Sequence, residues 1–165
     1  SILVKYIFCI ILIFVLTSCS SVDFVYDKYK DVGNPLYEKT RVDTSGLNLT
    51  FLNSYVSIFF GERKEDKFNL TIVVDEKKTK RSVEKNQATS DLNYELRFIY
   101  KLTLVDKNCE VYKKEILSNF SIIPKSSGYN YGTDVSLEKK YELAVTENLN
   151  QFVSFLTYTN LNSCL

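Results

Sequence analysis

The sequence of 165 residues contains no histidine. Histidine is the commonest general base, the usual partner of a nucleophilic serine or cysteine, and the commonest metal ligand. Its absence excludes a Ser-His or Cys-His catalytic centre and argues against a zinc site. We therefore expect no metal, no cofactor and no catalytic centre built on histidine.

The chain also lacks an excess of charge of either sign. Lys and Arg number 21 against 20 for Asp and Glu. A balance this close creates no global field that recruits nucleic acid or an anionic surface. The sequence is instead rich in apolar residues, 45% of the total, and aromatic residues make up 14%. Such a composition is typical of a folded chain, and its length suits one domain with a hydrophobic core.

Carboxylates remain as a route to catalysis, as in a hydrolase that uses Asp and Glu. The candidates are Glu62, Glu65 and Asp66, which lie in a stretch where acidic and basic residues are mixed. This stretch is typical of a solvated connection, and nothing in the sequence supplies a buried carboxylate pair with shifted pKa values. We expect no catalytic residue, so the chain is predicted not to be an enzyme.

The most informative motif is Leu16-Thr17-Ser18-Cys19, at the end of an apolar run over residues 2–16. An apolar segment followed by Leu, two small residues and Cys is the pattern of a bacterial lipoprotein signal. It predicts cleavage before Cys19 and attachment of fatty acyl chains to that residue. The alternative is a transmembrane helix. The run is shorter than the ~20 residues needed to span a bilayer, and no basic stop-transfer cluster follows it.

The residue after Cys19 predicts the membrane to which the protein is sorted. Lipoproteins with Asp at that position are typically retained at the inner membrane, whereas here the residue is Ser20. We therefore expect a lipid-anchored protein on the periplasmic face of the outer membrane. The predicted organisation is a signal peptide at 1–18, a lipidated tether at 19–37 and one domain at 38–165.

Cys109 and Cys164 remain in the predicted domain. An exported, oxidising compartment permits a disulfide between them. We nevertheless expect two separate residues, because nothing in the sequence places their Cα atoms within bonding distance.

Alternation of apolar and polar residues predicts four strands. The clearest pattern lies at 92–104, where Asn93, Glu95 and Arg97 face away from the apolar side. Residues 77–91 fit either an extension of the preceding strand or a long mobile loop. The predicted strands are 38–44, 67–76, 92–104 and 112–122, and a turn at 106–108 joins the last two into a hairpin.

Helical spacing predicts two helices. The first covers 47–60, with Ser45 as N-cap and Gly61 as the terminal glycine, although its β-branched content leaves a strand as an alternative. The second runs from Asp134 to Thr157 after a loop at 124–133, and the tail from Tyr158 is expected to fray. These elements predict an α+β fold, a two-layer sandwich of an antiparallel (mixed) four-stranded sheet with two helices packed on one face.

The order of elements after the lipobox resembles the lipopolysaccharide-assembly lipoprotein E (LptE) family. The match is strongest between Ser90 and Leu156, whereas the amino-terminal half matches only in the order of its elements. It rests on Asp91-Leu92-Asn93-Tyr94-Glu95-Leu96, the hairpin from Tyr100 to Phe120, the loop Tyr129-Asn130-Tyr131, and Glu138-Lys139-Lys140-Tyr141-Glu142 at the start of the helix.

The resemblance implies a function as a transport subunit. Members of the family sit as a plug inside the outer-membrane β-barrel protein LptD, help assemble that barrel, and help deliver lipopolysaccharide to the cell surface. The implied partners are an LptD-like barrel, lipopolysaccharide and the membrane. The runner-up interpretation is an auxiliary lipoprotein of another envelope lipid transport system, such as those that serve ABC-type exporters.

The resemblance also implies roles for particular residues. Basic residues on loops and sheet edges would pair with the phosphate groups of lipopolysaccharide, and tyrosines of the Gly/Ser loop would contact the barrel. The alternatives are a solvated loop and edge protection for the basic residues, and packing onto the helix start for the tyrosines. The implied lipopolysaccharide ligands are Lys80, Arg81, Lys85, Lys113 and Lys114, and the implied barrel contacts are Tyr129 and Tyr131, together with the wet sheet face.

Overall fold

The computed structural model describes residues 33–47, 50–82, 90–122 and 131–165. The predicted signal peptide and Cys19 lie outside these residues. The elements in chain order are β1 (Thr40–Gly46), α1 (Thr50–Phe60), β2 (Phe68–Ser82), β3 (Ser90–Leu104), β4 (Cys109–Ile122) and α2 (Tyr131–Leu156).

The four strands form one mixed sheet in the order β1-β2-β3-β4. β1 runs parallel to β2, whereas the β2–β3 and β3–β4 pairs are antiparallel. The parallel pair follows from α1, which carries the chain back to the end of the sheet where β1 began. Both helices cover the same face of the sheet, so the predicted α+β two-layer fold is confirmed.

The core lies between the helices and the alternate strand residues that face them. β3 supplies the central row, which is fully buried because α2 packs above it: Leu96, Phe98, Tyr100 and Leu102. Val145, Leu149 and Phe152 of α2 complete this layer. Leu36 is buried as well, so the last residues of the predicted tether, 33–37, pack against the domain.

A polar node sits inside this core. Asn148 of α2 is buried, and its side-chain oxygen accepts a hydrogen bond from the Tyr100 hydroxyl at 2.6 Å. Its amide donates to the Ile116 carbonyl at 3.2 Å and to the Ser118 hydroxyl at 2.8 Å. The node fixes the position of α2 along the sheet, because a shift of one residue would leave these buried groups without partners.

The first helix forms as predicted, and the alternative of a strand is wrong. Gly61 ends it with a positive φ of 68°, and its N–H donates to the Ser57 carbonyl at 2.9 Å. Ser45 is not the N-cap, because pairing with β2 keeps it in strand β1, and α1 begins only at Thr50. The first strand also starts two residues later than predicted, since Glu38 lies in a turn with a φ of 59°.

β2 continues well beyond its predicted end. Residues up to Ser82 pair with β3, whose first residue is Ser90. The polar stretch 77–82 is therefore a strand extension, and residues 83–89 lie outside the described residues. The alternation in 92–104 is confirmed, because Asn93, Glu95 and Arg97 lie on the face opposite the helices.

The predicted turn between β3 and β4 is confirmed, with Asn108 in the left-handed region at a φ of 47°. The prediction of two separate cysteines is wrong. Cys109, the first residue of β4, forms a disulfide with Cys164, and their Cα atoms are 5.7 Å apart. The pairing became possible because the tail folds back onto the start of β4.

The tail was expected to fray, and that expectation is also wrong. Leu161 is buried, and the Leu165 N–H donates to the Glu110 carbonyl at 2.8 Å. The second helix begins at Tyr131, three residues before the predicted start at Asp134. Phe155 of this helix is 41% exposed, and the Lys114 ammonium of β4 lies over its ring.

Candidate functional site

Along the direction of its strands, the described part of the domain has two distinct ends. At the first, which we call the entry end, β1, β2 and β4 begin and both helices finish; it comprises residues 33–39, 61–67, 105–108 and 157–165. Backbone hydrogen bonds join these segments, from Lys64 to the Glu38 carbonyl at 2.8 Å and from Val105 to the Lys67 carbonyl at 3.0 Å. At the second, the arm end, β2 and β3 extend past the end of β1.

The arm end exposes the outer edge of β2. β1 ends opposite Val74, so among the described residues no strand pairs with that edge from Asp75 to Ser82. The edge is rich in lysine, and the Lys77, Lys78 and Lys80 side chains are exposed. Lysine on an open edge discourages non-specific strand pairing, and it also offers cations to an anionic ligand.

The predicted lipopolysaccharide ligands divide into two groups. Lys80 and Arg81 lie at the arm end, where Lys80 is in register with Leu92. Lys114 is in register with Tyr100, eight residues further along β3, which corresponds to about 27 Å. The structure therefore does not bring the two groups together. Lys85 lies in the part of the chain that the structure does not describe.

Lys113 and Lys114 point to opposite faces, because they are adjacent in a strand. Lys113 lies beside Lys101 on the face without helices. Lys114 lies on the helix side, where its ammonium sits 4.4 Å from the centre of the Phe155 ring. Of this pair, Lys113 alone lies on the face without helices.

Most of the predicted barrel contacts and the predicted lipidation site lie outside the residues that the structure describes. Cys19 and Tyr129 lie outside the described residues. Tyr131 is the first residue of α2 rather than part of a loop. These three assignments remain predictions.

A network around Glu76 holds the arm end to the helices, and it was missed at the sequence level. Glu76 accepts a hydrogen bond from the Tyr141 hydroxyl of α2 and pairs with Lys78 at 3.1 Å. The hydrogen bond from Lys78 to Glu76 and the attraction of that carboxylate raise the pKa of Lys78. Burial, together with the hydrogen bond to Glu76, raises the pKa of Tyr141. The sequence did offer a hint: Glu76 lies two residues after Val74, so alternation along the strand places its side chain on the same, buried face.

Aromatic rings surround this network. Tyr94 stacks on Phe120 with centroids 5.0 Å apart, and the edge of Tyr141 meets both rings, at 5.7 Å and 5.0 Å. On α1, the Tyr55 hydroxyl donates to Glu142 at 2.5 Å, which lowers the pKa of that carboxyl. These contacts pack the arm end against the helices. They also fix the direction in which the basic edge of β2 extends.

The face of the sheet without helices, which we call the open face, carries mostly polar and charged side chains and is charge-balanced, and Val73, Ile99 and Leu117 are its apolar residues. Neighbouring strands pair opposite charges, as between Arg97 and Asp75 at 3.1 Å and between Lys101 and Glu110 at 3.4 Å. Hydrogen bonding to Asp75, with the nearby Glu115, raises the pKa of Arg97. By strand register, the described charged side chains of this face are Arg41, Lys77, Arg97, Lys101 and Lys113 against Asp43, Asp75, Glu95, Glu110 and Glu115.

A groove of about 390 Å³ separates the outer edge of β4 from α2. α2 covers part of this edge, since Lys140 donates to the Ser121 carbonyl at 2.5 Å and Asn148 to that of Ile116. Leu117 and Leu143 on the groove walls are 50% and 59% exposed. The groove is shallow and mixed in polarity, and α2 protects the strand edge beneath it.

The carboxylates considered for catalysis lie on the surface of the entry end. Asp66 pairs with Arg63 at 3.1 Å, and both side chains are largely exposed. Within the described ranges, no group of three or more Cys, Asp or Glu side chains is arranged to hold a metal ion. In the same ranges, no helix is long and apolar enough to cross a membrane.

Comparison with known proteins supports the fold. No family model matches the chain, and no curated protein matches it. The structure of a candidate lipoprotein from Caulobacter crescentus CB15 is similar, with a TM-score of 0.52 and 12% identity over 73% of this chain and 88% of that chain. At this identity the similarity shows the fold alone: a candidate lipoprotein of known structure has a fold similar to that of this chain.

Two further solved structures have lower scores. A minor lipoprotein from Acinetobacter baumannii has a TM-score of 0.48 at 9% identity, covering 73% of this chain and 91% of that chain. The rare lipoprotein B from Shewanella oneidensis has a TM-score of 0.44 at 13% identity, covering 71% and 95%.

Proposed function

We propose that the protein is an outer-membrane lipoprotein subunit of the lipopolysaccharide transport and assembly machinery. Cys19 anchors it to the periplasmic face of the outer membrane, and the domain plugs an LptD-like β-barrel and helps to assemble it. It acts by fitting a partner and breaks no bond, in keeping with a sequence that lacks histidine. The observation that carries the proposal is the open sheet face.

The open face suits the lumen of a barrel. Transmembrane barrels have polar interiors, and burying unpaired charges against such a wall would be costly. Here the described positive and negative charges are equal in number, and several are paired within the face, as in Asp75–Arg97 and Lys101–Glu110. Asn and Thr side chains between them, such as Asn69 and Thr103, supply hydrogen-bond donors and acceptors.

The length of the sheet agrees with a position across the membrane. β3 spans 15 residues, which corresponds to about 45 Å. A bilayer is ~30 Å thick in its hydrocarbon core and ~40–45 Å with headgroups. With the entry end at the periplasmic headgroups, the arm end reaches the level of the opposite headgroups.

This orientation assigns roles to the basic residues. Lys80, Arg81 and Lys85 would bind lipopolysaccharide phosphates near the outer leaflet, where charge-assisted hydrogen bonds are strongest if water is excluded. Lys113 and Lys114 would lie lower, along the route of the transported molecule. Tyr129 and Tyr131 would contact the barrel wall.

Affinity purification from outer membranes tests the proposal. Protein tagged at its carboxyl terminus should recover a large β-barrel protein together with lipopolysaccharide. Recovery of no barrel would contradict the plug function, and recovery of an ABC-type exporter would favour the runner-up function. Cys19→Ala should reduce membrane retention while leaving the domain folded, and a mutant that failed to fold would contradict the role of Cys19 as an anchor alone.

A further inference from the structure

The outer edge of β4 is covered by two different parts of the chain. α2 covers its second half, where Asn148 and Lys140 donate to carbonyls of the strand. The tail, residues 158–165, covers its start, where the Leu165 N–H donates to the Glu110 carbonyl at 2.8 Å. An uncovered strand edge can pair with another chain. The tail therefore completes the protection that α2 provides.

Few non-covalent contacts hold the end of the tail. Leu161 is buried, but all four residues after it are exposed. Besides the hydrogen bond of Leu165, the described contacts include one from Lys107, whose ammonium donates to the Asn162 carbonyl at 3.2 Å. Ordering each residue opposes folding, and one buried leucine with two hydrogen bonds offsets little of that cost over five residues. These contacts alone do not account for an ordered tail.

The disulfide between Cys109 and Cys164 therefore decides the position of the tail. Its two cysteines have different surroundings. Cys109 is the first residue of β4 and packs against the hydrophobic core, whereas Cys164 is exposed and lies next to Leu165. When the disulfide is open, Cys164 moves with the tail, while pairing with Leu104 keeps Cys109 in the strand. An external reagent therefore reaches Cys164 first.

We propose that Cys109 and Cys164 form a redox switch, with the tail covering the start of β4 in the disulfide form and leaving it in the dithiol form. The switch closes by thiol–disulfide exchange. The Cys164 thiolate attacks an external disulfide, such as that of an exported thiol oxidase, and one external sulfur leaves as a thiolate. The Cys109 thiolate then attacks the Cys164 sulfur of the mixed disulfide and displaces the second external sulfur. The two cysteines together lose two protons and two electrons, and the external disulfide gains them as two thiols.

The switch makes the cover of β4 depend on the compartment. A reducing compartment leaves the start of the strand edge open to pairing with another chain, and an oxidising compartment, such as the one expected after export, closes it. The inference requires neither the barrel nor the acyl chains of the proposed function, so it can fail or succeed independently of that function.

Hydrogen exchange followed by mass spectrometry tests whether the tail moves. The full mature chain in detergent is compared as the disulfide form and as the dithiol form in dithiothreitol. Amides of residues 161–165 should exchange at least about tenfold faster in the dithiol form, and over that time amides of residues 96–102 in β3 should stay protected in both forms. A variant with both Cys109→Ser and Cys164→Ser is the control and should match the dithiol form whether or not dithiothreitol is present.

Two results of this experiment would overturn the switch. Unchanged exchange in residues 161–165 would show that non-covalent contacts suffice to hold the tail. Loss of protection in residues 96–102 over the same time would show that the disulfide supports the whole domain rather than the tail.

Oxidised glutathione tests the order of attack, with peptide mass mapping to identify the modified cysteine. The Cys109→Ser protein should form a mixed disulfide at Cys164 at least about ten times faster than the Cys164→Ser protein forms one at Cys109, because Cys164 is the accessible thiol. Equal rates, or a faster reaction at Cys109, would overturn the assignment of Cys164 as the residue that reacts first.

Discussion

The node at Asn148 provides a quantitative test of how α2 is held on the sheet. Asn148→Ala removes hydrogen bonds to Tyr100, Ile116 and Ser118. It leaves the buried Tyr100 hydroxyl and the Ile116 carbonyl without these partners, and each orphaned buried group costs ~1–3 kcal/mol. We expect a loss of roughly 3 kcal/mol in the free energy of unfolding, a large share of the ~5–15 kcal/mol typical of a domain.

A double-mutant cycle isolates the hydrogen bond between Tyr100 and Asn148. Tyr100→Phe removes the hydroxyl but keeps the ring, which stacks on Phe152 at 4.0 Å. In the Tyr100→Phe protein, Asn148→Ala no longer leaves a buried Tyr100 hydroxyl without its partner. Asn148→Ala should therefore lower the free energy of unfolding by about 1 kcal/mol less than it does in the original protein.

Urea-induced unfolding followed by far-ultraviolet circular dichroism measures these values. Asn150→Ala, on the same helix but outside the core, is the matched control and should stay within ~0.5 kcal/mol of the original protein. The reasoning would be refuted if Asn148→Ala cost no more than the control, or if the two core mutations were additive within ~0.3–0.5 kcal/mol.

Three further predictions concern stability. Cys164→Ser opens a disulfide that spans 55 residues, and the chain-entropy relation gives a loss of about 4 kcal/mol, measured by urea unfolding with the reduced protein as comparison. A reduced protein as stable as the oxidised one would contradict this value. Gly46→Ala should cost about 3 kcal/mol, because its Cβ would lie 2.3 Å from a carbonyl of the facing strand at a φ of +95°. Gly33→Ala, with a similar φ but its nearest neighbour at 3.7 Å, should cost only about 1 kcal/mol, and equal losses would show that the close contact is irrelevant. Burial raises the pKa of Tyr100 well above the ordinary 10.0, so the unfolded chain releases this proton first. The contribution of Tyr100 to the free energy of unfolding should be constant below pH 10 and should fall above it by up to ~1.4 kcal/mol per pH unit. The pKa values of Tyr112 and Tyr141 are also raised and add to this fall, so Tyr100→Phe should reduce the slope without abolishing it.

The strand hairpin and the helices could be predicted because local patterns decide them. The alternation from Leu92 to Leu104 places every second residue against one apolar layer, and this pattern is visible in the sequence. Gly61 was likewise identified as a helix terminus, since its left-handed conformation favours glycine. The two-layer fold follows once these elements are known.

The errors arose where distant segments meet. The disulfide between Cys109 and Cys164 depends on the return of the tail to β4, which no local pattern reveals. Ser45 has the chemistry of an N-cap, but pairing with β2 outweighed that preference and kept it in a strand. The end of β2 likewise shifted to Ser82, because residues 77–82 pair with β3.

The roles of the candidate site residues stay predictions, and only their arrangement can be compared with the structure. The resemblance implied the basic residues around Lys80 as ligands, whereas their separation from Lys113 and Lys114 depends on the register of three strands. The network at Glu76 was overlooked because a glutamate near the end of an apolar alternation resembles a solvated residue. Its partner Tyr141 lies on another element, so only the fold could join them.

The account's central claim is that the open sheet face fits against a β-barrel wall. Site-specific photo-crosslinking in intact cells tests it most directly, with the photoreactive residue in place of Arg97 on the open face and, as a control, in place of Ser57 at an exposed position of α1. The account predicts a crosslink from position 97 to a large outer-membrane β-barrel protein and none from position 57. A crosslink from position 57 alone, or no barrel crosslink from position 97, would contradict it.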